Sequence, residues 1–206
     1  MERWWRFGHL GADEFLRKAD TGDILLWKGQ GFMQQGQRFL TGAEYDHVAV
    51  LIRTFTPDGG NKLCIYEAEG SNGVSACYWS QFVKNRWDKL YEKVVWRKLF
   101  TNRDEKFKSD FTNFINETIG HGYELNVGKM MKFQSMYNAV EKKDGKDQDR
   151  SYFCSELIAD CYKRLGFFAA NKTAARYWPG DFAQNAVAEL TKEAYLGCEY
   201  FINLDL

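Results

Sequence analysis

The sequence is short of the residues that would place it in several large classes. Its 206 residues hold only two prolines, three histidines and five cysteines, and no two cysteines form a CxxC pair. With no cysteine and histidine ligands at zinc-type spacing, neither a metal site nor a cofactor is expected. The odd, scattered set Cys64, Cys77, Cys154, Cys161 and Cys198 argues against a disulfide framework and for free thiols in a reducing compartment. Charge of one sign is missing as well. The 28 basic and 28 acidic side chains cancel, so nothing points to a nucleic-acid partner. No run approaches the about 20 apolar residues of a transmembrane helix, and the first residues lack the apolar stretch of a secretion signal. The expectation is a soluble, cytoplasmic protein.

What is present is a well-mixed globular composition with 17% aromatics, and no linker or repeat divides it. Residues 1–206 read as one domain, large enough to bury a core unaided. Trp4 to Ala19 has amphipathic helical spacing, giving a helical extension over 1–21. Its Trp4-Trp5 pair, flanked by Arg3 and Arg6, suits either the rim of a core or a peripheral membrane contact. Strands are expected at Asp23–Trp27, His47–Phe55, Leu63–Glu69, Val74–Cys77, Lys93–Phe100 and Tyr195–Leu204. Helices are expected at Trp79–Lys84, at Asp104–Ile119, more weakly at Val127–Val140, and from Pro179 through Val187. Gly29–Gly42 and the charged stretch Glu141–Arg150 read as loops. Strands fall mainly in the first half and helices in the second, which predicts α+β architecture.

The densest chemical signal is Ser151-Tyr-Phe-Cys-Ser-Glu-Leu-Ile158, a loop turning into a helix. Cys154, Leu157, Ile158, Cys161 and Leu165 form its apolar stripe, Gly166 is a stop signal, and Ser151 suits the N-cap. A cysteine in a first helical turn lies among unpaired N–H groups, where the dipole favours a thiolate. The other four cysteines each fall within an apolar strand or helix stripe and read as core residues. A thiolate nucleophile needs an imidazole and a third polar group to fix the ring. His47, opening its strand after Tyr45-Asp46, is the best-placed imidazole; His9 reads as surface and His121 as an exposed turn residue. Glu67 and Glu69 lie on the next strand, on one face by period-two alternation. Either could serve as the third member.

The order His47, Glu67, Cys154 resembles the circularly permuted papain-like hydrolases of the NlpC-type superfamily, with most likeness to the YiiX-like branch. Four segments carry it: Gly22-Asp23-Ile24-Leu25; Asp46-His47-Val48-Ala49-Val50; Tyr66-Glu67-Ala68 with Gly73-Val74; and Phe153-Cys154-Ser155-Glu156-Leu157. Tyr177-Trp178-Pro179-Gly180-Asp181-Phe182 is similar to the Pro-x-Asp segment that follows the cysteine helix in that family.

The resemblance implies a papain-like α+β fold, an antiparallel sheet packed against helices with the nucleophile at a helix N-terminus. It implies a cysteine-dependent hydrolase of amides, esters or thioesters. Carried over, Cys154 would be the nucleophile, His47 the general base, Glu67 the ring-orienting carboxylate, and the Cys154 N–H an oxyanion donor. The sequence departs from the family pattern at Asp46, where a small residue is common, and in its long charged loop before Cys154. The first is expected to alter the charge state of His47, the second to gate the thiol. The substrate is expected to be a small peptide, amide or acyl compound. A lipid acyl group is the alternative, resembling the lecithin–retinol acyltransferase group, with Met130, Met131 and Met136 as a lipid-facing surface. A non-catalytic binding module on the same fold is the third reading.

Overall fold

The computed structural model describes residues 8–31, 42–55, 60–70, 73–121, 153–169, 171–184, 190–191 and 193–204. Seven strands occur among them: β1 (Gly8–Gly11), β2 (Ile24–Gly29), β3 (His47–Phe55), β4 (Asn61–Glu69), β5 (Gly73–Tyr78), β6 (Tyr91–Phe100) and β7 (Tyr195–Asn203). The helices are α1 (Ala12–Lys18), α2 (Trp79–Lys84), α3 (Glu105–Thr118) and α4 (Cys154–Arg164). The strands form one sheet in the order β1-β7-β6-β2-β3-β4-β5.

Strand β2 runs through the middle of this sheet because nearly all its side chains are apolar, and it is buried on both faces. Ile24 and Leu26 pack with Phe107, Phe111 and Phe114 of α3 and with Leu157 and Ile158 of α4. Leu25 and Trp27 pack into the other cluster, with Phe15 of α1 and with Trp79 and Phe82 of α2. Helices therefore cover both sides of the sheet, as the α+β expectation requires.

Two expectations are corrected. The predicted helix from Trp4 to Ala19 begins only at Ala12; Gly8–Gly11 is a strand, and residues 4–7 lie outside the described residues. The glycines at 8 and 11 disfavour helix, and a β-carbon at Gly8 would lie 2.5 Å from the Tyr200 ring, so the close approach to β7 needs glycine there. Because β1 pairs parallel with β7 while every other ladder is antiparallel, the sheet is mixed. The second correction is at Pro179, where a single 3-10 turn, Pro179–Phe182, replaces the expected helix before Ala183 turns extended. Residues 185–189 are outside the described set, as are the expected helix Val127–Val140 and the loop Glu141–Arg150.

Three polar anchors fix the elements that carry the candidate site. Asp23 is fully buried and accepts hydrogen bonds from the Asp20 and Leu99 N–H groups, Trp96 Nε1 and Arg103 Nη2, all at 2.9 Å. Gly22, at φ +90°, turns its carbonyl to the Tyr162 hydroxyl at 2.7 Å, tying α4 to the start of β2. Glu199 is also fully buried and accepts from the Tyr45 hydroxyl at 2.9 Å, two residues before His47.

Candidate active site

Helix α4 begins at Cys154 itself. Phe153, in an extended conformation at φ −80° and ψ 155°, is its N-cap, and no side chain caps that end. Ser151, the expected cap, lies outside the described residues, so Cys154 occupies the first helical position rather than the third. Below it Leu157, Ile158 and Cys161 are buried in the core shared with the sheet. Glu156 in the first turn and Lys163 and Arg164 in the last complement the helix dipole.

His47 is the first residue of β3. Its Nε2 lies 2.6 Å from Glu67 Oε2, and the two side chains are 15% and 18% exposed. Register alone would favour Glu69, yet Glu67 is the carboxylate that meets the ring. The β3–β4 ladder closes at Val50–Tyr66; continued, it sets His47 against Glu69 and leaves Glu67 as the diagonal neighbour, within reach of a long side chain. Glu69 is exposed.

Cys154, at the start of α4, acts on the same imidazole. Burial, the largest influence, pulls the His47 proton affinity down. Charge and hydrogen bonding from Cys154, followed by the hydrogen bond and charge of Glu67, outweigh it and hold the imidazole well above its usual range. The arrangement suits an imidazolium clasped between sulfur and carboxylate. Cys154 is only 4% exposed, so the open side of the cluster is the His47–Glu67 side.

Asp46, expected to alter the charge state of His47, accepts a backbone hydrogen bond. Its carboxylate turns to the Gly29 N–H, at 3.1 and 3.0 Å from the two oxygens, and joins the end of β2 to the start of β3. Of the other histidines, His9 is exposed on β1 at the far edge of the sheet. His121 is half-buried rather than exposed, because its carbonyl accepts from Val74 N–H at 2.7 Å along the outer side of β5. All five cysteines are free thiols; Cys64 and Cys161 are buried and Cys77 half-buried. Cys198, expected in the core, is exposed on β7. Among the described residues no three His, Cys, Asp or Glu side chains form a metal-binding group.

Two aromatic residues near the site escaped the sequence reading. Trp27 sits directly across the ladder from His47, with ring centroids 5.2 Å apart. The Tyr91 ring lies 5.9 Å from Trp27. Burial raises the affinity of the Tyr91 phenol for its proton, and the charges of Glu67, Glu69 and Asp46 raise it further. Only the pairing of β2 with β3 and β6 brings them here.

Residues 18–178 match the model of the permuted papain-like amidase enzymes, YaeF/YiiX, C92 family. Among solved structures, the chain is similar to the metalloprotein yiiX from Escherichia coli O157:H7. The TM-score is 0.50 and the identity 16%, covering 87% of this chain and 96% of that one, a likeness of fold. No curated protein matches the chain in sequence. No helix among the described residues is long and apolar enough to cross a membrane.

Proposed function

This chain belongs to the permuted papain-like amidase family, and from that premise we propose that it is a cysteine-dependent hydrolase of amide or peptide bonds. The observation that carries the reading is the imidazole of His47 held between Glu67, at 2.6 Å, and Cys154. His47 takes the Cys154 proton, and the sulfur attacks the substrate carbonyl. The oxyanion sits at the first turn of α4, where the Cys154 N–H is a donor. His47 returns its proton to the departing amine as the C–N bond breaks, leaving an acyl-thioester. Water, deprotonated by His47, then attacks that thioester, the C–S bond breaks, and the acid leaves as Cys154 regains its proton. Glu67 keeps Nε2–H engaged throughout and stabilises the imidazolium.

The test is turnover by wild type and Cys154→Ser on a panel of peptide or amide, acyl-thiol and lipid substrates. Amide turnover that falls at least about 1000-fold in Cys154→Ser is expected; a serine variant at the wild-type rate would refute the reading. The lipid reading rests on Trp4, Trp5, Met130, Met131 and Met136, which lie outside the described residues. Exclusive activity on lipid acyl groups would favour it, and inertness across the panel would favour a binding module.

A further inference from the structure

We propose that Trp27 is a positioning residue for His47, an indole wall that fixes the plane of the imidazole and shelters its positive charge. The inference rests on the reading of Cys154 and His47 as a reacting pair and deepens it. Trp27 and His47 are directly opposed at the end of the β2–β3 ladder, with centroids 5.2 Å apart and planes inclined by 47°. Behind the indole stand Phe82 and Tyr91, with centroids at 6.4 and 5.9 Å. The wall is therefore backed and does not yield.

The Nε2 contact to Glu67 sets one end of the ring, and the tilted indole packs beside it. The charged groups around His47 include Glu67 from β4 and Cys154 from α4, with Glu69 opposite in the continued register and Asp46 beside it in the chain, bonded to the Gly29 N–H. A cation within about 6 Å of an indole is attracted by its ring quadrupole, so Trp27 favours the protonated imidazole. Trp27 is 1% exposed and its Nε1–H is buried without an acceptor. Phenylalanine or leucine would fill the core without that unpaired donor, which costs stability.

The chain has three histidines, so imidazole resonances are few and His47 can be followed directly by NMR in the full-length protein. In wild type, the His47 ring protons should be displaced by the indole ring current and show contacts to Trp27. In Trp27→Leu, the His47 proton affinity should fall roughly two- to fivefold, and kcat should drop with KM within about twofold. Trp27→Phe, which keeps an aromatic face, should recover most of both. His47 ring protons resonating like those of exposed His9 in wild type would overturn the proposal, even if no variant folds. So would an unchanged His47 titration in Trp27→Leu. The outcomes separate cleanly from the hydrolase reading: the titration decides the role of Trp27 in a protein that turns nothing over, whereas Cys154→Ser decides the chemistry.

Discussion

Replacing Glu67 separates the two things its carboxylate gives His47, a fixed ring and a compensating charge. The contact is 2.6 Å and mostly shielded from water, with side chains 15% and 18% exposed. A hydrogen bond to a charged partner contributes about 1.5–3 kcal/mol, and each 1.36 kcal/mol is about tenfold in rate. Removing it should lower kcat/KM by between about 10- and 150-fold. Glu67→Gln keeps an oxygen that accepts from Nε2–H and loses only the charge, so it belongs at the lower end; Glu67→Ala loses both and belongs at the upper end. The pH dependence has a definite sign. His47 binds its proton more tightly in the folded chain than in the unfolded one, where the midpoint is about 6.5. The stability this contributes is complete below about pH 6.5 and is lost as pH rises through the folded midpoint. Glu67→Gln lacks its share, so the gap from wild type in urea unfolding should be widest below about pH 6.5 and should close at high pH. If Glu67→Ala turns over within twofold of wild type at every pH, or if Glu69→Ala carries the loss instead, the assignment of Glu67 is wrong.

Iodoacetamide at mildly acidic pH should label Cys154, though it is only 4% exposed, ahead of the exposed Cys198; peptide mass mapping that finds Cys198 first would mean that access alone sets reactivity. Asp23→Ala should strip the acceptor from four donors, Arg103 among them. The expected loss, read by urea titration, is about 3–5 kcal/mol, and a loss below about 1 kcal/mol would show that the anchor is not needed.

Much of this arrangement is legible in the sequence where a local signal is strong. The strand start at His47 and the helix Trp79–Lys84 fall where alternation and helical spacing put them. Helix α3 starts one residue after Asp104 because Asp104 is its cap, accepting from the Phe107 N–H at 2.9 Å. The harder features depend on partners far away in the chain. Four residues with glycine at both ends carry no periodicity, so β1 is visible only through β7. Alternation puts Glu67 and Glu69 on one face, and only the side-chain contact of Glu67 with His47 separates them. Trp27 reads as an ordinary core residue until β2 is set in register against β3. Asp46 could not be placed without the Gly29 N–H, 17 positions away in the chain.

The parallel clasp of β1 on β7 has a consequence for how the chain is made. Gly8 meets Tyr200 and Gly11 meets Asn203, so β1, made early, waits for β7, made about 180 residues later, before the two can pair. A nascent chain halted before Tyr195 would hold the sulfur, imidazole and carboxylate of the site but would expose the open flank of β6, an unpaired template for aggregation. Chemistry could then be encoded well before the protein is safe from its neighbours.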